Sequence, residues 1–439
     1  MMRGAKVVRI ARLSAAALIA GTTQYAPPAS AVAPPPIDSA LLPAAGPAAP
    51  ARATVQREVC GVPTLQPDAP VTQLDGLDLP AVWALTRGAG QRVAVIDTGV
   101  APHRRLPGLV GGGDYVSSGD GAQDCDGHGT LVAGIIGAAA DPATDRFAGL
   151  APLATVIGIR QSSAKFAAAA DAPGVGDVDT LAKAVRTAAD LGSSVINISA
   201  VACLPAGSGL DDRALGAALA YAVEVRNAVV VAAAGNTDDG CGAGGPMIVT
   251  PAWYDDYVLT VGSVDAHGAP SAFTLAGPWV DVAAPGEGVL SLSTIADAMA
   301  NTVAGSPVHG TSFAAPVVSG LAALIRARFP DWTPRQVMDR IKATAHHPPG
   351  GRDDVVGAGV IDPLAAVSAD TTRPAAGRPV PRPAPPGTPV APDDEPATEP
   401  DGLRAAGTGT GVLLALLLAV VIARAAAARR RGPAAPGPG

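Results

Sequence analysis

The amino-acid sequence predicts an open, doubly wound α/β domain, a parallel sheet with helices on both faces. Two observations carry this. Between about residues 79 and 370, five short runs are almost entirely apolar, as strands covered on both faces are. Helical patterns lie between them, and strand–helix alternation folds as a parallel sheet.

The runs are residues 92–97, 154–159, 194–199, 228–233 and 258–262. The stretch 179–191 puts Leu181, Ala184, Val185 and Ala188 on one helical face, and 210–225 reads similarly. Residues 333–345 open with Thr333-Pro334 and continue with Val337 and Ile341, a capped amphipathic helix. Residues 131–139 and a segment ending near residue 329 complete the helical set. Ligands in such sheets bind beyond the carboxyl ends of the strands.

The chain's ends set its compartment. Arg3, Lys6, Arg9 and Arg12 lead into a short apolar run at 13–21, and Ala29-Ser30-Ala31 follows. This is a secretory signal at 1–31, cut after Ala31. Residues 405–423 carry no charge and suffice for one membrane-spanning helix. Arg424, Arg429, Arg430 and Arg431 place the tail, 424–439, in the cytoplasm. The expected location is the cell membrane, single-pass, with the body outside. The linker 371–404 holds ten prolines and reads as a semi-rigid spacer. Residues 32–80 read as an N-terminal extension and 81–370 as the α/β domain.

The apolar fraction of 48% excludes wholesale disorder, and a net charge of −7 gives no reason to expect a nucleic-acid partner. Cys60, Cys125, Cys203 and Cys241 lie in the exported part. An even count in an oxidising compartment predicts two disulfides, with three pairings possible.

The chemistry falls at strand ends and helix starts. Asp97-Thr98-Gly99 ends the first run, Asp126-Gly127-His128-Gly129-Thr130 precedes a helix, and Gly310-Thr311-Ser312-Phe313-Ala314-Ala315-Pro316 opens another. A serine hydroxyl needs a histidine to take its proton, and the histidine needs a carboxylate to hold its tautomer. An oxyanion needs a donor, and Ala233-Ala234-Gly235-Asn236 supplies a side-chain amide at a strand end. An aspartic protease would need a second Asp-Thr-Gly, and only one is present. A lipase or esterase would show Gly-x-Ser-x-Gly and the order Ser, Asp, His.

These three segments resemble the signatures of subtilisin-like serine proteases over about residues 79–366. The resemblance implies Asp97 as orienting carboxylate, His128 as general acid–base and Ser312 as nucleophile. It implies Asn236 and the Ser312 N–H as oxyanion donors. It also implies that Ser199, Ala200, Val201, Ala233, Ala234 and Gly235 line the substrate channel. Val282-Ala283-Ala284-Pro285-Gly286 matches a recurrent turn of that family. The signal, Cys60 extension, Cys125 beside Asp126, Pro-rich arm and C-terminal anchor are similar to the mycosins, proteases of type VII secretion systems. That similarity implies Cys60–Cys125 and Cys203–Cys241 pairing, an extension that wraps the domain and is disulfide-bonded to it, a secreted polypeptide as substrate and the secretion membrane complex as partner. The extension could instead be a removable inhibitory propeptide, but it is short, begins Pro- and Ala-rich and shows no βαβ pattern, so a permanent wrap is expected. It also implies a role in the integrity of that complex, so a mainly structural role is the alternative to proteolysis.

Ser199-Ala200-Val201 departs from the usual Ser-Leu-Gly, and Val201 is expected to narrow the pocket for the residue before the cut. Residues 161–176 read as an exposed low-complexity insertion. Asp114, Asp120 and Asp124 lack a calcium-loop spacing and read as a solvated loop. His103, His267, His309, His346 and His347 read as surface or packing residues. No metal and no cofactor are expected.

Overall fold

The five apolar runs form the middle of a seven-stranded parallel sheet in the computed structural model, which describes residues 33–66, 72–168, 174–237, 241 and 246–368. The strands are β1 (Arg92–Asp97), β2 (Val110–Asp114), β3 (Thr155–Arg160), β4 (Val195–Ile198), β5 (Val229–Ala233), β6 (Val258–Val264) and β7 (Val282–Pro285). Their spatial order is β7-β6-β5-β4-β1-β3-β2. Residue Asp97 pairs with Arg160 across β1 and β3, and Ile96 with Ile198 across β1 and β4. Strand order reverses between β1 and β4, so the crevice that receives ligands opens where Asp97 and Ser199 end their strands.

Two strands were not expected. β2 reads Val-Gly-Gly-Gly-Asp and carries no apolar run. Its glycines answer a steric demand, since a Cβ on Gly112 would lie 2.6 Å from Ile159 Cγ1 and 2.7 Å from Ile157 Cγ2. β7 is the segment read as a turn, and it adds the far edge against β6.

The helices are α1 (Leu79–Leu85), α2 (His128–Gly137), α3 (Val178–Asp190), α4 (Arg213–Ala220), α5 (Thr311–Arg328), α6 (Pro334–Thr344) and α7 (Pro363–Val367). α2 packs with α5, and α3 packs with α4. Both pairs also touch the central strands β1 and β4. α5 is apolar and buried nearly all round, as a helix at the centre of a core must be. Capping boxes start α3 (Asp177 with Thr180) and α6 (Thr333 with Gln336).

Residues before α1 lie against this body. Ile37, Leu42 and Ala48 pack on the core. Thr54–Gln56 pairs antiparallel with Phe166–Ala168, and Pro63–Gln66 with Met299–Val303. Disulfides join Cys60 to Cys125 and Cys203 to Cys241.

Two expectations are corrected. The insertion is not an exposed loop over its described part: Gln161 and Ser163 are buried, and Phe166–Ala168 is a strand. Phe166 also covers the Arg160 guanidinium, 4.3 Å from its ring centroid. The acidic segment is not a solvated loop either. Asp114 is buried and takes the backbone N–H groups of Val116, Ser117 and Gly119, and only Asp120 is exposed. His103 is likewise buried, where loss of hydration lowers its pKa despite nearby Asp297. Among the described residues no helix is long and apolar enough to cross a membrane. The expected signal (1–31), linker (371–404), span (405–423) and tail (424–439) lie outside the described residues.

Candidate active site

β1 ends at Asp97, whose side chain is 3% exposed. The carboxylate oxygen Oδ1 accepts the Thr98 N–H at 2.7 Å and faces His128 Nδ1 at 2.7 Å. His128 is the first residue of α2. The helix start can approach the strand end because Gly129 has no side chain, since a Cβ there would sit 2.0 Å from Gly99 O. The other imidazole nitrogen, Nε2, lies 3.0 Å from Ser312 Oγ, and the Phe313 ring lies 4.7 Å from the imidazole.

The His128 side chain is 31% exposed. Burial alone would lower its pKa, but the charge of Asp97, its hydrogen bond, and the charges of Asp124 and Asp126 overcome this, and the pKa is raised.

Ser312 sits in the first turn of α5, where free N–H groups and the helix dipole favour negative charge. Gly310, at φ 145°, turns the chain into that helix. Its N–H donates to Gly286 O at 3.0 Å, so the turn after β7 supports the nucleophile segment. Gly286 must be small, since a Cβ would meet Gly310 O at 2.6 Å. Pro316 has no N–H to give the carbonyl of Ser312. That carbonyl accepts the Ser199 hydroxyl at 3.0 Å instead. Asn197 donates to Ser199 Oγ at 3.0 Å and accepts Ser319 Oγ–H at 2.8 Å. The end of β4 and the nucleophile helix are thus tied through buried polar side chains.

Asn236 follows β5. Its Oδ1 accepts both the N–H and the hydroxyl of Thr311, each at 3.0 Å. That fixes which end of the amide is nitrogen. A Cβ built on Gly310 would lie 3.5 Å from Asn236 Nδ2 and 3.2 Å from Ser312 Oγ, so both atoms border one small volume. The segments 199–201 and 233–235 lie side by side. Val201 Cγ1 would be 3.6 Å, and Leu275 Cδ2 3.2 Å, from a Cβ on Gly235. A cavity of about 220 Å³ opens beside Val201, lined by Gln161, Val175, Leu181 and Ala200 among others. A second, of about 450 Å³, opens at His309 and is lined by Phe273, Glu287, Leu290 and Val308.

All ten predicted catalytic and channel positions therefore gather at the carboxyl ends of β1, β4 and β5. Residues that sequence reading missed surround them. Asp124 accepts from Thr98, Gly127 and Thr130, and burial pushes its pKa up to about 6 against those hydrogen bonds. Asp126 accepts Ser163 Oγ–H and the Ala164 N–H, which binds the insertion to the His128 segment. An Asp four residues before a helix-initiating His, across a glycine, was the available signal. Among the described residues no cluster of three or more His, Cys, Asp or Glu side chains is arranged to hold a metal.

Residues 88–359 match the subtilase family, and the chain belongs to that family of subtilisin-like serine proteases. Its branch within the family is the mycosins. The chain is 59% identical to Mycosin-4 of Mycobacterium tuberculosis over 409 residues, covering 89% of each chain. The solved MycP3 protease of the type VII (ESX-3) secretion system is 44% identical, with a TM-score of 0.71 over 77% of this chain and 100% of that one. A chain in the periplasmic assembly of the ESX-5 inner membrane complex is 40% identical, with a TM-score of 0.72 over 83% and 100%.

Proposed function

We propose that this protein is a membrane-anchored, extracytoplasmic endopeptidase of type VII secretion in which Ser312, His128 and Asp97 cleave a secreted polypeptide. The observation that carries the reading is the unbroken chain Asp97 Oδ1–His128 Nδ1 at 2.7 Å and His128 Nε2–Ser312 Oγ at 3.0 Å. Asp97 holds the proton on Nδ1, leaving Nε2 as the base. Ser312 Oγ gives its proton to Nε2 and attacks the scissile carbonyl. The resulting oxyanion lies between Asn236 Nδ2–H and the Ser312 N–H. As it collapses, His128 returns the proton from Nε2 to the leaving amine, which departs and leaves an acyl group on Ser312. Water then loses a proton to His128 and attacks the ester. The carboxyl product leaves and Ser312 recovers its proton.

The backbone of 199–201 and 233–235 holds the substrate as an added strand. Val201 leans over Gly235 and favours a small residue before the cut. No cofactor takes part. Signal 1–31 directs export, span 405–423 anchors the chain, and linker 371–404 spaces the domain from the membrane. Cys60–Cys125 and the two strand pairings of residues 54–66 support an extension that stays attached. Cys203–Cys241 braces the two-stranded antiparallel sheet of Ala202–Pro205 and Met247–Thr250 behind Val201.

A relative solved within the ESX-5 periplasmic assembly favours a second reading, in which the domain mainly stabilises the secretion complex. The test is Ser312→Ala in the producing cell, against deletion of the whole chain. Loss of substrate processing in S312A supports the peptidase. Processing that survives S312A overturns it, and secretion that fails only in the deletion gives the structural role precedence.

A further inference from the structure

We propose that Asp124 is a positioning residue of this active site, whose carboxylate locks the helix start carrying His128 against the strand end carrying Asp97. The inference rests on the proposed role of His128.

α2 has no side-chain cap of its own, because Gly127 occupies the cap position at φ 88°. Its first-turn N–H groups need acceptors from elsewhere. Asp124 supplies them from outside the helix. Oδ1 accepts the Gly127 N–H at 2.8 Å and the Thr98 hydroxyl at 2.9 Å. Oδ2 accepts the Thr130 N–H at 2.8 Å and its hydroxyl at 2.7 Å. Two hydroxyls extend the lock. Thr98 Oγ1 accepts the Gly129 N–H at 2.9 Å, and Thr130 Oγ1 accepts the Ala101 N–H at 2.9 Å. Residues on both sides of His128 are thereby tied to the chain just after Asp97. The Asp97–His128 hydrogen bond is one contact within a rigid frame.

The carboxylate also acts through its charge. It lies at a helix N-terminus, where a negative group is favourable. The charged groups facing His128 are Asp97 from β1 and Asp124 and Asp126 from its own segment. α5 offers only the neutral Ser312 and Phe313. The extension crosses at Gly61 beside Asp126, with its Glu58 paired to Lys165. Asp124 therefore helps keep the imidazole protonated to higher pH, and so helps set the lower edge of the active pH range.

The experiment uses the full chain and a chromogenic peptide with alanine before the cut, with kcat and KM measured from pH 5 to 9 beside thermal unfolding. Asp124→Asn is expected to lower kcat about tenfold to hundredfold, the effect of a small misplacement of a catalytic group. KM should stay within about twofold, and the acid edge of kcat/KM should move down by up to about half a pH unit, as the charge that Asp124 carries above about pH 6 is lost. Thr98→Val breaks two bonds of the frame but keeps the charge. It should lower kcat and leave the acid edge in place. A folded D124N with wild-type kcat and acid edge overturns the inference. If D124N does not fold, T98V decides, and wild-type kcat there overturns it. Wild-type activity in His128→Ala overturns the functional reading itself, a result distinct from either.

Discussion

Replacing Asn236 by alanine should separate the chemistry of this site from its stability. The side chain performs two tasks with two atoms. Its Oδ1 accepts the N–H and hydroxyl of the buried Thr311. Its Nδ2 borders the volume in front of Ser312 Oγ. Losing Nδ2 removes one of two donors to the oxyanion, which should cost about 10²–10³ in kcat with KM nearly unchanged. Losing Oδ1 strands two buried donors, since the remaining contact of the Thr311 hydroxyl, at 3.2 Å, uses its oxygen as acceptor for the Gly235 N–H. That should lower stability by roughly 1–3 kcal/mol. Asn236→Asp keeps the acceptor for Thr311 but puts a negative charge where the oxyanion forms. It should fold nearly as well as wild type and be at least as inactive as N236A. Steady-state kinetics on one peptide, with urea unfolding of the same preparations, reads both quantities. A folded N236A with kcat within about threefold of wild type would refute the assignment of Nδ2 as oxyanion donor.

Two further outcomes follow from the same geometry. Val201→Gly should raise kcat/KM for a peptide with phenylalanine before the cut by about tenfold relative to one with alanine. An unchanged ratio across a peptide library would show that Val201 does not border the pocket. Asp281 is buried, and loss of hydration pushes its pKa up to about 6 although Lys342 opposes this. The folded value lies above the unfolded one of about 4, so the folded state holds this proton more tightly. The stability this contributes is present below about pH 4 and is lost as pH rises through about 6, roughly 3 kcal/mol in all. Asp281→Asn should flatten that part of the unfolding free energy between pH 4 and 7. An identical pH dependence in both proteins would show that Asp281 is hydrated in the folded state.

The strands that carry the site were legible because each is a short apolar run, with Asp97 at the end of one and Ser199 and Asn236 just after two others. β2 was not, because contact with Ile157 and Ile159 requires glycine where a pattern would show valine. The insertion at 161–176 looked loose because its partner strand, Thr54–Gln56, lies more than a hundred residues earlier. Non-local pairing leaves no local periodicity. The catalytic set could be read from residue type and element, since an acid at a strand end with a base and a nucleophile at two helix starts have few other uses together. In sequence Asp124 reads instead as part of a solvated loop, because its role depends on Thr98, Gly127 and Thr130 converging on one carboxylate. Spacing likewise left three cysteine pairings open until the resemblance, and then the structure, chose one.

The most direct test is covalent labelling of the purified full chain with a fluorophosphonate, followed by mapping of the modified peptide by mass spectrometry. A serine activated by His128 should be modified once, at Ser312, with labelling lost in Ser312→Ala and His128→Ala. Labelling of S312A at the wild-type level, or none of a folded wild-type chain, would contradict an assembled Asp97–His128–Ser312 site.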